Sequence, residues 1–420
     1  MDLGLKQNFI AILKEELVPA MGCTEPIALA YAAARLTEIL GQKPKTLVAH
    51  LSGNMIKNVR CVHIPNSKGK AGVEYAVVLG AFGGNATLGM QVLETVTDAH
   101  ISEAREFIAA GGCRVEFLDS DIPLHFIIEG SSDSDTALVE TRYAHTEIVR
   151  IEKNGQELLN AVKELNSEQT DRSRLSLEAI KEFADTAPVQ ELEPIFDRVV
   201  RMNMDIAYEG MAGSYGIGIG KVLRNAYPDS CLSRMKAYTA AASEARMDGC
   251  DMPVIINSGS GNQGLASSVP VIVYCRENAV PREKMLRALA FSSLLTIFQK
   301  EFIGKLSAFC GAVSASCASG AAITYLKNGT TEQIKATIDN TLANIPGIIC
   351  DGAKISCAAK IASSLDAAMM AHNLAMAGKA YEAYTGILRE DTGETISCVG
   401  YIGRVGMAQT DKEILKMMLK

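Results

Sequence analysis

The chain is short of several things, and each shortage excludes something. It has no basic excess: 41 Lys and Arg stand against 48 Asp and Glu, a formal net charge of -7 over 420 residues. A nucleic-acid binder normally carries a basic stripe, so that class is set aside. Histidine is scarce, six in all, and only His372 lies near the C-terminal cysteines in sequence. A zinc site of cysteine and histidine in short paired spacing has little to draw on. Long runs of large apolar side chains are missing too. The one uncharged stretch of spanning length, residues 306–326, reads LSAFCGAVSASCASGAAITYL. About 20 residues cross a bilayer, but Ser, Ala, Gly and Cys insert poorly beside Leu or Ile. The stretch is better read as the buried centre of a helical domain. The first residues, MDLGLKQNFIAILKEELVPAMG, interrupt their apolar positions with Lys6, Lys14, Glu15 and Glu16. That pattern is an amphipathic helix, not a signal peptide. The expectation is a cytoplasmic protein with no membrane and no nucleic-acid partner.

Nucleotide-binding loops are also lacking. No Lys-Ser/Thr pair follows NSGSGNQG (257–264), so it is not a Walker loop. GIGIG (216–220) follows no convincing strand and reads as a joint between helices.

What the chain does have is length, 48% apolar residues, and a change of texture along it. A chain this long is expected to hold two or three domains. Residues 5–17 and 26–40 read as helices, the second capped by Thr24 and Glu25, opened by Pro26 and stopped by Gly41. A strand is predicted at 46–52 and a long helix at 85–110. Alternating β-branched segments at 113–119, 125–131, 136–144 and 145–152 predict an antiparallel sheet. Residues 156–171 read as a linker. Beyond them almost everything is helical, broken by glycine-rich joints. The expected fold class is therefore α+β. A large, mostly helical domain (172–420) carries the N-terminal helices (1–44), and a smaller α/β domain (45–155) holds the antiparallel sheet.

Eleven cysteines are many for a reducing compartment, and the odd number cannot all pair. The bland reading of each is a buried apolar residue. Cys23, in MGCTEP (21–26), stands just before a helix start. The helix dipole and free N–H groups there are expected to favour its thiolate; the plain alternative is a capping turn. The loop at 258–264 (Ser258, Gly259, Ser260, Gly261, Asn262, Gln263) offers N–H groups and small donors to a carboxylate or phosphate. Cys310 and Cys317, seven apart on one expected helix, differ by ~10.5 Å along its axis. Cys350 and Cys357 are also seven apart, but Asp351-Gly352 turns the chain between them. One cysteine of the first pair plus Cys350 and Cys357 could meet. Three thiolates suit an iron–sulfur cluster with one open iron; zinc, or plain burial in a small-residue core, are the rivals.

Several motifs taken together carry a resemblance over nearly the whole chain: GCTEP (22–26), SGNMIKN (52–58), EGMAGSYGIGIG (209–220), SGSGNQG (258–264), and CGAVSASCASGAA (310–322) with ICDGAKISC (349–357). They resemble the L-cysteine desulfidase family and its serine-dehydratase-like relatives. The C-terminal motifs are similar to the catalytic chain of iron–sulfur L-serine dehydratases. The resemblance implies an oxygen-sensitive lyase of cysteine catabolism that splits L-cysteine into sulfide, pyruvate and ammonia. It implies a [4Fe-4S] cluster on Cys310, Cys350 and Cys357, with Cys317 the runner-up to Cys310, Cys23 as catalytic base, and no pyridoxal phosphate. Lys354, the only lysine placed to suggest a Schiff base, is read as a neighbour that tempers the cluster's charge. The partner implied is a small amino acid, and a homo-oligomer is left open. Two further readings stay in view: L-serine or another β-substituted amino acid on the same site, and a non-catalytic protein that binds a small anion or senses iron–sulfur status.

Overall fold

The computed structural model describes residues 2–120, 122–161, 170–304 and 306–419. The chain opens with α1 (Leu3–Glu16), a short strand β1 (Pro19–Ala20) and α2 (Thr24–Leu40). Gly41, in the left-handed region at φ 76°, ends α2 and returns its N–H to Thr37 O at 2.9 Å. Next come β2 (Thr46–Leu51), α3 (Gly53–Val59), α4 (Val73–Gly83), a 3-10 segment (Ala86–Thr95) and α5 (Asp98–Ala109). The single helix expected over 85–110 is thus two pieces. Val96 is extended, and Thr97 caps α5 by accepting from the His100 N–H.

Strands β3 (Cys113–Phe117), β4 (His125–Ser131), β5 (Thr136–Arg142), β6 (Ile148–Lys153) and β7 (Gln156–Asn160) follow. With β2 they form one sheet in the order β3-β2-β4-β5-β6-β7. The sheet is antiparallel at every pair but one: β2 and β3 run parallel, joined by the crossover through α3, α4 and α5. Strand β7 occupies the first residues of the expected linker, whose residues 162–169 lie outside those described.

The helical part contains α6 (Leu177–Thr186), α7 (Val189–Ala212), α8 (Ile219–Ala226), α9 (Cys231–Met247), the two-residue β8 (Val254–Ile255), α10 (Gly261–Glu277), α11 (Arg282–Ile303), α12 (Ala312–Leu326), α13 (Thr331–Asn344), α14 (Cys357–Met376), α15 (Thr392–Tyr401) and α16 (Ala408–Leu419). Its centre is α12, where Ala312 to Thr324 are all buried. Small side chains let α10, α11, α13 and α14 approach it. Among the described residues no single helix is long and apolar enough to cross a membrane; one sharply bent pair, α4 with the 3-10 segment, passes by length and composition together.

The N-terminal helices divide between the two parts. Helix α1 lies against α7 and α11, whereas α2 lies on α4 and the β4–β5 region of the sheet. Arg172 fastens α1 to α11, reaching Glu15 (2.8 Å), Glu16 (2.5 Å) and Glu301 (2.8 Å). Between α1 and α2, β1 pairs with β8, Pro19 opposite Ile255 and Ala20 opposite Val254. That small ladder sets the start of α2 beside the start of α10.

Candidate functional site

Three connections bring distant motifs to one place. The first is the β1–β8 pair. Beyond it, Thr24 Oγ1 donates to Gly259 O at 2.8 Å, tying the Cys23 turn to the 258–264 loop. Asn203, fully buried, clamps that loop at both ends: its Nδ2 donates to Ile255 O (3.2 Å) and Gly264 O (3.3 Å), and its Oδ1 accepts from Ile255 N (2.8 Å). The third connection joins the cysteines. Cys310 N donates to Ile348 O at 2.8 Å and Cys350 N to Ala308 O at 2.7 Å, with Phe309 and Ile349 bridged between them. Two short backbone runs, about 40 residues apart in sequence, thus lie antiparallel and set Cys310 beside Cys350.

The result is a cavity of about 80 Å³. Cys23, Thr24 and Glu25 form one wall, with Gly259, Ser260, Asn262 and Gln263 on the second and Cys310, Cys350 and Cys357 on the third. The N-terminal ends of α2, α10, α12 and α14 all border it. Helix N-termini carry partial positive charge and free N–H groups, so four around one space favour an anion. Two residues expected on the loop do not reach the cavity wall. Ser258 turns away and donates to Asn257 Oδ1 at 2.8 Å. Gly261 lies under the Arg246 guanidinium, where a Cβ would fall 2.2 Å from Nε.

Cys310 precedes α12 and does not share that helix with Cys317, as the seven-residue spacing had suggested. Cys317 is fully buried in the main core and Cys310 opens to the cavity. Cys357 begins α14 after the Asp351-Gly352 turn. Gly352 sits at φ 94°, and a Cβ there would fall 2.3 Å from Lys57 O, so the turn requires glycine. All eleven cysteines are free.

Cys23 is the N-cap of α2, as expected, but its protonation is not. Its Sγ–H donates to Glu25 Oε2 at 3.0 Å. Burial first, and then the Glu25 carboxylate, push the Cys23 thiol well above its ordinary value; the Arg246 guanidinium opposes them. The helix dipole therefore does not yield a thiolate, because desolvation and a like charge outweigh it. Among the C-terminal cysteines, Cys350 is the one drawn down, first by the hydrogen bond from the Cys310 thiol, against burial, and further by Lys57 and Lys360. Cys310 moves up correspondingly, and burial raises Cys357.

Sequence reasoning missed the cations here. Arg246, on α9, is 2% exposed and lines the cavity. Lys300, near the end of α11, is 4% exposed and lines it too, and burial lowers it to about 8. Lys57, from the SGNMIKN motif, is 1% exposed; it donates to Cys350 O at 3.3 Å and pairs with Asp411 of α16. Lys354 is spent on Asp351 and is absent from the cavity wall, so Lys300 takes the place expected for it. A lone Arg or Lys on an Ala- or Phe-rich helix looks solvent-facing in sequence, and no signal marks these as buried. GIGIG has a use as well. The backbone N–H groups of Ile217, Gly218 and Ile219 all donate to the Glu244 carboxylate, at 2.8, 3.0 and 2.7 Å. The joint is an anion nest filled by its own chain, and it anchors α9 two residues before Arg246.

Among the described residues, no three His, Cys, Asp or Glu side chains close on a single ion. A cluster is several atoms wide and its thiols stand around it, so it makes a different demand. Three thiols on one wall, with Lys300 on the cavity to balance thiolate charge, have donor chemistry that fits such a group.

Residues 87–416 match the serine dehydratase alpha chain family. The chain is 46% identical to a UPF0597 protein of Treponema denticola over 100% of its own length and 99% of the relative's. It is 45% identical to one of Lachnoclostridium phytofermentans (98% and 99% covered) and 40% identical to one of Fusobacterium nucleatum (99% and 99%). On the breadth of these matches, the chain belongs to the serine dehydratase alpha chain family.

Proposed function

We propose that the protein is an iron–sulfur-dependent lyase that eliminates the β-substituent of a small L-amino acid, with L-cysteine as substrate and hydrogen sulfide, pyruvate and ammonia as products. The observation that supports this most is the meeting of Cys23, the α10 N-terminus and Cys310, Cys350 and Cys357 around one small cavity. Base, anion clamp and thiol donors are what such an elimination needs within reach of a molecule a few atoms long.

Cys310, Cys350 and Cys357 would hold the cluster, which would supply Lewis acidity toward the β-substituent. The chain's own residues do the rest. The N–H groups at the start of α10 would face the substrate carboxylate and stabilise charge that develops there. Cys23 gives its proton to Glu25 Oε2, which already accepts its hydrogen bond, and as thiolate takes the Cα proton. The Cα–H electron pair becomes the Cα=Cβ bond, and the Cβ–S bond breaks with its electrons onto sulfur. The 2-aminoacrylate released tautomerises to an imine, and water hydrolyses it to pyruvate and ammonia. Burial of Cys23 and Glu25 keeps water from competing for the shared proton.

L-Serine is the second reading, favoured by the family the chain belongs to. Protein purified without oxygen should contain iron and acid-labile sulfide, and should release sulfide from L-cysteine faster than it forms pyruvate from L-serine. Faster pyruvate formation from serine would reverse the order of substrates. No turnover of either, with iron present, would leave an anion-binding or iron–sulfur-sensing role.

A further inference from the structure

Two polar side-chain atoms at the cavity are buried with no hydrogen-bond partner: Arg246 Nε, a donor, and Gln263 Oε1, an acceptor. Their residues are 2% and 4% exposed. Arg246 is held without being satisfied. Its Nη1 donates to Asn262 Oδ1 at 3.2 Å, and Ser243 Oγ donates to the same oxygen at 2.9 Å, so Asn262 is fixed from two sides. Its guanidinium makes no ion pair with a carboxylate among the described residues, and burial lowers its hold on its proton. The Glu25 carboxylate acts on Arg246 through charge without pairing with it directly; a buried cation with no direct ion pair is costly, and so is a buried acceptor left unmade. Both atoms are also fixed in place by missing side chains opposite them. Gly261 leaves room for the guanidinium, and a Cβ on Gly311 would fall 2.4 Å from Gln263 Cδ.

We infer that Arg246 and Gln263 form a zwitterion reader, Arg246 taking the α-carboxylate of the substrate and Gln263 Oε1 taking its α-ammonium. This rests on the proposed reading of the cavity as an amino-acid site and deepens it. A donor cation and a neutral acceptor, both unmatched, complement the two ends of an α-amino acid and leave its β-carbon to the opposite wall. Simple carboxylic acids offer nothing to Gln263, and amines offer nothing to Arg246. The Asn262 side chain positions Arg246 rather than binding alone.

The test uses ligands that have no β-leaving group. Isothermal titration of the anaerobically prepared protein with L-alanine, L-alaninamide and propionate reads each end separately. L-Alanine should bind at least about 10-fold more tightly than either analogue, since charge-assisted bonds to buried partners are lost in each. Arg246→Met should erase the preference for L-alanine over L-alaninamide, Arg246→Lys should restore part of it, and Gln263→Leu should erase the preference over propionate. Equal affinity of the unaltered protein for the three, or no measurable binding of L-alanine, overturns the inference. So does an Arg246→Met protein that keeps its discrimination. If that variant does not fold, the unaltered protein and Arg246→Lys still decide. Sulfide release with no preference among the three ligands would sink the reader and leave the lyase standing. The preference without turnover of cysteine or serine would do the reverse.

Discussion

Replacing Glu25 by Gln isolates what holds the Cys23 proton. The thiol donates to Glu25 Oε2 at 3.0 Å, and both residues are buried. If Cys23 ionised beside an ionised Glu25, two unit charges about 3 Å apart would repel by about 5 kcal/mol at an effective dielectric of about 20. Arg246 offsets part of this. If only half survives, Glu25→Gln still raises the thiolate population about 100-fold, because each 1.4 kcal/mol is a factor of ten. Burial, the larger cause of the raised thiol, remains in the variant. The ultraviolet absorbance of thiolate measures the change, taken as the difference between each protein and its Cys23→Ser counterpart, so that the other ten cysteines cancel. The difference signal should emerge at lower pH in Glu25→Gln, while kcat/KM near neutral pH should fall, because the variant has no carboxylate to take the Cys23 proton. Identical difference titrations with and without the carboxylate would refute the shared-proton pair.

Cys23→Ser itself should keep the fold and the iron content, since serine still caps α2, while elimination is abolished because a hydroxyl is a far weaker acid than a thiol; full activity at matched iron content removes Cys23 from the mechanism. Ser in place of Cys310, Cys350 or Cys357 should cost iron and acid-labile sulfide together, whereas Cys317→Ser, in the core away from the cavity, should keep both and lose no more than about 2 kcal/mol of stability; metal analysis separates the two cases. Asp339 is raised by burial to about 6, above its value in an unfolded chain, so its contribution to stability is full at low pH and is lost as pH rises through about 6. Denaturation between pH about 4 and about 7 should therefore cost the unaltered protein about 2–3 kcal/mol more than Asp339→Asn, and equal slopes would show that Asp339 does not titrate on unfolding. Asp411→Asn strips the counter-ion from buried Lys57 and should destabilise by about 3 kcal/mol, a loss that Lys57→Met in the same chain should partly recover.

Much of this was legible locally. Alternation and β-branching identified β2 to β6, because one face of a strand is buried and the period of two shows it. The Asp-Gly turn between Cys350 and Cys357 was legible because glycine is needed at positive φ, and the start of α2 because capping chemistry is local. The break between the 3-10 segment and α5, and the parallel β2–β3 pair, were not: apolar periodicity runs across the first, and strand direction leaves no mark in a short sequence.

Which residues share the cavity is a matter of long-range contact. The sequence alone could bring one of Cys310 and Cys317 to Cys350 and Cys357, and a family resemblance preferred Cys310. Only the pairing of residues 308–310 with 348–350 sets Cys310 facing the cavity and leaves Cys317 in the core. The charge state of Cys23 was misread for the same reason. A helix N-terminus is a local feature, but burial and the reach of Arg246 from α9 are not, and desolvation outweighs the dipole once the site is closed. Arg246 and Lys300 look like surface cations in sequence, because nothing local says which face of α9 or α11 other helices will cover. The sequence by itself determined the helix and strand segments and the residue types that chemistry requires; the tertiary structure decided which of them meet, and which are buried enough for their charge to matter.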